Sequence, residues 1–343
     1  MPHAGSARLS RRRLLTAGGA LGLGALLTAC GGSGGSKDAG KGGKGGAWSF
    51  TDDRKETVSA KSTPQRIVAF TGTAGALHDF GLDKQLVGVF GETKGKDGRP
   101  DPQAGTLDVD KIEIIGNAWG EFSIEKYAAL NPDLLVTHMF DEGALWYVPD
   151  ESKDKILKLA PSVAVTTARV PLPEPIKRYA ELAASLGADL NDRQVTEAKA
   201  RFEAAAETVR KAARDNGGLK VMAASGSADL FYVSNPEVNT DLMYFRELGV
   251  DLIVPDSPDK GGYFESLSWE NSGKYRADLI LLDNRTTALQ PKDLASKPGW
   301  AGLPAVKAGQ VTTWDAVPRF SWAGSAPLLE NLAKAVQGAK KLG

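Results

Sequence analysis

A single cysteine and three histidines in 343 residues remove several kinds of chemistry at the outset. One thiol closes no internal disulfide and builds neither a Cys-based zinc site nor an iron–sulfur site. Lys plus Arg number 42, as do Asp plus Glu, so there is no net charge of either sign. Four of the bases (Arg8, Arg11, Arg12, Arg13) sit in residues 1–29, which hold no acid. The rest carries 38 bases against 42 acids, and no basic field is left to grip a nucleic-acid backbone. Apolar runs of spanning length are absent, which excludes a polytopic membrane protein. What remains, 42% hydrophobic and 24% charged, is ordinary globular material with enough length for two cores.

The first fifty residues point out of the cytoplasm. Ser10-Arg11-Arg12-Arg13-Leu14-Leu15 leads into a glycine-rich apolar run ending at residue 29, too short for a confident membrane span. It reads as a signal peptide over 1–29, of the twin-arginine kind, with the choice between Tat and Sec export left open. The run closes in Leu27-Thr28-Ala29-Cys30, which resembles a bacterial lipobox. That resemblance implies cleavage before Cys30 and lipidation of its thiol, hence an anchor on the outer face of the cell membrane. Over 31–46 nine of sixteen residues are glycine, a composition that buries no core. The segment 30–56 is therefore expected to be a lipidated, flexible tether.

From residue 66 short apolar runs alternate with helical stretches. Runs at 66–70, 86–90, 134–137 and 163–166 read as buried strands, with helices near 74–80 and 124–130. The proline-rich Pro171-Leu172-Pro173-Glu174-Pro175 opens a helical tract over 176–216, broken near 187–191. Strands resume at 220–224, 252–254, 279–283 and 310–313, before a closing helix over about 325–341. The pattern predicts an α/β fold with mainly parallel sheets in two lobes. Boundaries are set at 57–172 for the N-terminal lobe, 173–190 for a connecting helix and 191–343 for the C-terminal lobe.

A weak repeat ties the halves together. Ser123-Ile124-Glu125 followed by Asp133-Leu134-Leu135 has the spacing of Ser268-Trp269-Glu270 followed by Asp278-Leu279-Ile280. A lone glutamate in a first helical turn does no more than complement the helix dipole. The duplication makes the pair worth following.

These residues carry a family resemblance. Pro64-Gln65-Arg66-Ile67-Val68-Ala69, Gly81-Leu82, Leu86-Val87-Gly88-Val89, Glu125 with Leu130-Asn131-Pro132-Asp133-Leu134-Leu135-Val136, and Val306-Lys307-Ala308-Gly309-Gln310-Val311 together resemble the iron-siderophore and cobalamin substrate-binding proteins of ABC importers. The resemblance spans most of 57–340. It implies two Rossmann-like lobes joined by one long rigid helix (class III), with ligand held between them and no catalysis. It also implies that Glu125 and Glu270 dock on a permease dimer, where two carboxylates on rigid elements would report the position of both lobes.

In open α/β sheets ligands lie beyond the carboxyl ends of strands. The segments there are aromatic and sparingly charged. Candidate ligand contacts are Trp119, His138, Trp146, Tyr147, Tyr232, Arg285, Trp314, Arg319 and Trp322. Aromatic rings suit a bulky, weakly charged ferric hydroxamate, and Arg285 and Arg319 offer planar forks to its iron-bound oxygens. A triscatecholate complex, with about three negative charges, would ask for more convergent bases than these two. Direct metal capture would need several His and carboxylates, and beyond the leader only His78 and His138 remain, so iron is expected to be held by the siderophore and not by the protein. Haem through His138, Tyr147 or Tyr232, cobalamin, and a ligand-sensing module of the same fold stay open as alternatives. Catalysis is disfavoured: Ser225 in Ala224-Ser225-Gly226-Ser227 lacks the G-x-S-x-G elbow, and no P-loop or dinucleotide fingerprint is present. The expectation is a monomeric, lipid-anchored, extracytoplasmic solute-binding protein with no cofactor and no nucleic-acid partner. Its partners would be an ABC importer permease dimer and a ferric siderophore.

Overall fold

A computed structural model describes residues 46–343. The signal peptide at 1–29, Cys30 and the glycine-rich stretch as far as residue 45 lie outside the described residues. Trp48–Thr51 (β1) and Thr57–Ala60 (β2) pair antiparallel as a hairpin. The first lobe follows: Ile67–Phe70 (β3), Thr71–Asp79 (α1), Leu86–Phe90 (β4), Glu113–Gly116 (β5), Ile124–Ala129 (α2), Leu134–Met139 (β6), Lys153–Leu159 (α3) and Ser162–Thr166 (β7). Its five strands run parallel in the order β5-β4-β3-β6-β7. Every residue of central β3 is buried, as a strand covered on both faces requires.

Pro173–Ser185 (α4) connects the lobes. Pro173 at the first helical position brings its fixed φ and lacks an N–H the first turn could not satisfy anyway. Ile176, Tyr179, Ala180, Leu182 and Ala183 recur at helical spacing and are buried. The helix stops short of the expected residue 190 because Gly187 adopts φ +104°. Its N–H bonds the Ala184 carbonyl at 3.0 Å and that of Ala188 bonds Ala183 at 2.9 Å, a left-handed cap that satisfies the last carbonyls.

Arg193–Asp215 (α5) leads into the second lobe: Lys220–Gly226 (β8), Leu230–Ser234 (β9), Thr240–Glu247 (α6), Asp251–Leu252 (β10), Phe264–Ser268 (β11), Leu279–Asp283 (β12), Pro291–Leu294 (α7), Pro304–Lys307 (α8), Val311–Trp314 (β13) and Trp322–Gly338 (α9). The sheet order is β11-β9-β8-β12-β13, with β10 also beside β8. β8, β10, β12 and β13 pair parallel, while β9 and β11 pair antiparallel. The whole is the two-lobed, mainly parallel α/β class III architecture.

Two features bind the body together. The first is the hairpin, whose β1 and turn fall in the stretch expected to be tether and whose β2 opens the expected N-terminal lobe. Trp48, Phe50 and Val58 alternate inward and are buried. Asp52 accepts from the Ala164 N–H (3.0 Å), and Asp53 from the Thr166 N–H (2.8 Å) and from Arg178 Nε on α4 (2.7 Å). The tether assignment is thus corrected over 46–56: two apolar residues on one face and two carboxylates with waiting donors make this stretch fold. The second is a core shared by both lobes, in which Tyr179 donates to or accepts from Thr73 Oγ1 at 2.9 Å and lies parallel to Phe320 with ring centroids 6.1 Å apart.

Candidate functional site

The ends of β6, β8 and β12 open on a cavity of about 470 Å3 between the lobes. The first lobe contributes Phe140, Asp141 and Trp146; the second contributes Ser225, Tyr232, Tyr263, Asp283, Arg285 and Trp314, among others. Beside it lies a pocket of about 340 Å3 that shares Phe140, Asp141 and Trp146 and adds Trp119 and Tyr147. Phe140 and Trp146 meet edge to face at 4.5 Å and form the partition between the two spaces. Trp119, 68% exposed at the tip of its loop, packs on Trp146 (5.1 Å) and Tyr147 (5.0 Å). Tyr147 is itself held at φ +60° with its ring 5.3 Å from Phe70. Burial, reinforced by Glu92, pushes its phenol well above the ordinary range, so it stays protonated.

The polar end of the cavity is a locked ion pair. Asp283 is fully buried and accepts from Arg285 Nη2 at 2.7 Å, from Arg285 Nε at 3.1 Å and from Ser225 Oγ at 2.9 Å. Burial works against the Arg285 charge, but Asp283 and then Glu92 hold its proton more firmly than usual. Arg285 keeps 28% of its side chain exposed, so the fork is oriented by Asp283 and open to the cavity. Behind it Thr287 Oγ1 donates to Glu92 (3.0 Å) and Thr286 Oγ1 to Asp101 (2.8 Å), both bonds crossing between lobes.

Trp146, Tyr232, Arg285 and Trp314 are therefore brought together in the main cavity, and Trp119 and Tyr147 beside it. Trp314 is 3% exposed and its indole N–H is spent on Asp241. Three expectations are corrected. His138 is 1% exposed, packed against Phe70, Phe140 and Phe320, with neither ring nitrogen hydrogen-bonded; burial pushes its pKa down to about 3 and keeps it neutral. It lines neither space and cannot serve as an axial ligand there. Arg319 turns away to Asp79 (3.2 Å) and the Pro102 carbonyl (3.1 Å). Trp322 is the first residue of α9, edge to face with Phe80 at 5.5 Å and with Lys199 over its ring. His138 lies within β6, one residue before its end, and Arg319 and Trp322 follow β13; each is turned into the core or the lobe junction.

Glu125 is exposed in the first turn of α2, where Ser123 Oγ caps the Lys126 N–H at 3.2 Å. Glu270 is exposed in the first turn of a short 3-10 helix, Trp269–Lys274. Tyr263 and Phe264 are not among the residues expected from the sequence, because Tyr263 precedes β11 and Phe264 opens it, and neither follows a strand. The antiparallel pairs at the sheet edge put them at the cavity all the same. The glycine pair Gly261-Gly262 before two aromatics was the available signal.

The chain matches the family model described as "Periplasmic binding protein" over residues 67–318. It is similar to the crystal structure of DesE, a ferric-siderophore receptor protein from Streptomyces coelicolor, at 51% identity and a TM-score of 0.82, covering 86% of this chain and 100% of that one. The petrobactin-binding protein YclQ from Bacillus subtilis (20% identity, TM-score 0.60, 85% and 97% covered) and the FhuD protein from S. pseudintermedius (20%, 0.58, 85% and 98%) share the fold. No curated protein matches the chain.

Proposed function

Because the chain belongs to the periplasmic binding protein family, a family of binding proteins and not of enzymes, we propose that it captures a ferric siderophore between its lobes and delivers it unaltered to the permease of an ABC importer. The observation that carries this reading is the interlobe cavity, walled by Phe140, Trp146, Tyr232 and Tyr263 and ending in the oriented fork of Arg285. Rings supply area for the organic shell of a chelate, and the fork supplies donors for its metal-bound oxygens. The 51% identity with a ferric-siderophore receptor supports the same class of ligand.

The charge at the cavity favours a hydroxamate complex. Asp141 and Asp283 face it against Arg285, and Glu92 and Asp101 stand behind. A trianionic triscatecholate would meet an excess of carboxylate, whereas a neutral or cationic trihydroxamate would not. Delivery uses Glu125 and Glu270, one exposed carboxylate from each lobe, and the chain is held to the membrane as a monomer through lipidated Cys30.

Titration of tryptophan fluorescence tests the ligand, since Trp146 stands at the cavity and Trp119 lines the pocket beside it. Ferrioxamine- or ferrichrome-type complexes should quench saturably and more tightly than enterobactin-type complexes, haem or cobalamin. Tighter binding of any of the latter three would overturn the hydroxamate reading, and no binding of any ferric chelate would overturn the siderophore reading itself.

A further inference from the structure

The lobes touch at two kinds of place. Away from the cavity mouth the contacts centre on dry, buried carboxylates: Asp79, 7% exposed, takes Arg319 and Ser321, and Asp101, 1% exposed, takes Thr286. At the rim of the cavity the contact is wet. There Arg169 donates from Nη1 to the Phe140 carbonyl (2.9 Å), to Asp141 Oδ1 (3.1 Å) and to Tyr263 Oη (2.8 Å), and from Nη2 to the Gly261 carbonyl (2.7 Å). The Tyr263 hydroxyl in turn donates to the Phe140 carbonyl at 2.8 Å, with Asp141 Oδ1 at 3.0 Å. The guanidinium also lies over the Tyr263 ring, 5.0 Å from its centroid. Phe140 and Asp141 belong to the first lobe, Gly261 and Tyr263 to the second.

Resting on the functional reading above, we propose that Arg169 and Tyr263 form a clasp across the cavity mouth that sets the rate of ligand entry and release, and that they do so by holding the Phe140–Asp141 segment against the second lobe. Three observations converge on this. Phe140, Asp141 and Tyr263 all line the cavity, so breaking the clasp frees its wall. Arg169 is held at φ +60°, a left-handed conformation uncommon for a residue other than glycine, with its N–H on the Val238 carbonyl of the second lobe at 2.9 Å. The side chains of Arg169 and Asp141 are 45% and 58% exposed, so water replaces their bonds at little cost, unlike those around Asp79. The dry contacts hold the lobes together while the wet one opens. Phe140 and Asp141 are also the wall shared with the neighbouring pocket, so an open clasp admits a guest to both spaces.

The test pairs Tyr263→Phe, which keeps the ring and removes the hydroxyl, with Arg169→Asn, which removes the fork but tolerates left-handed backbone. Stopped-flow quenching with a ferric trihydroxamate should show both capture and release accelerated, release by about two- to fivefold, the range that loss of an exposed, water-accessible charged contact supplies. Loss of a mere ligand contact would speed release alone. Amide hydrogen exchange of the ligand-free protein is the second arm: residues 140–146 and 259–264 should exchange faster in both variants, with 79–82 and 284–287 unchanged. Unchanged exchange at the rim, or capture no faster than in the parent, overturns the clasp. If the parent binds no ferric chelate, the functional reading falls and the exchange arm alone decides the clasp.

Discussion

Removing the Arg319 side chain should separate architecture from binding. In the sequence Arg319 looks like a ligand donor; in the fold it pins the lobes together. Its guanidinium reaches Asp79 and the Pro102 carbonyl, with side chains 17% and 6% exposed for Arg319 and Asp79. The approach is so close that a Cβ placed on Gly105 would lie 2.3 Å from the Arg319 Cζ, and one on Gly75 would lie 2.7 Å from its Cδ. Arg319→Ala leaves the Asp79 carboxylate with Ser321 and no cation, and stripping one partner from a buried pair costs about 3–5 kcal/mol. In a body of this size each kcal/mol lowers the melting temperature by about 2–4 °C, so a fall of about 10 °C is expected. Arg319→Lys should recover only part of it, because one ammonium cannot serve a carboxylate and a carbonyl with the geometry of a fork. Affinity for a ferric trihydroxamate, measured by fluorescence titration well below the transition, should change by less than about threefold, under 1 kcal/mol. A variant that melts with the parent yet loses its ligand would refute this account and return Arg319 to the binding site.

Asp241 is fully enclosed, and burial raises its pKa to about 7 against the pull of the Trp314 indole. Between about pH 4 and 7 the folded chain keeps a proton the unfolded chain has lost, so stability falls as pH rises through that window. Asp241→Asn should remove up to about 1.4 kcal/mol per pH unit of that slope in thermal melts from pH 4.5 to 7.5. Asp53→Ala, which strips Arg178 Nε and the Thr166 N–H of their acceptor, should cost about 1–3 kcal/mol in urea unfolding. Arg285→Ala should weaken ligand at least about tenfold by titration while leaving uptake specificity in the aromatic wall. Reversing Glu125 and Glu270 to lysine should abolish uptake in a reconstituted importer without altering affinity; uptake at the parental rate would remove their docking role.

Periodicity made the scaffold readable. Strands such as β3, β6 and β12 are buried throughout and apolar over most of their length because they are covered on both faces, and such runs announce themselves in one dimension. The proline-rich start of α4 and the glycine beyond its end bracketed the connector for equally local reasons. The hairpin at 48–60 did not announce itself, because four-residue strands beside a glycine-rich stretch carry a weak signal and their acceptors wait more than a hundred residues away at Ala164 and Thr166. The site was legible only by class. Position after a strand selects residues near the carboxyl edge, but whether Trp146 faces the cavity while His138 faces the core is settled by tertiary packing. Arginines suffered most: Arg285 found its partner two residues away, whereas Arg319 found one in the other lobe and Arg169 was passed over entirely.

Tyr179 has a consequence for how far this molecule can move. Midway along α4 it is fastened to Thr73 on one side and stacked on Phe320 on the other, both deep in the shared core. A body fastened near one end behaves as a lever with its fulcrum inside: a turn too small to disturb those rings is magnified at the far lip. Ingress of a large guest then demands no refolding, and the two exposed glutamates would register an angle rather than a distance.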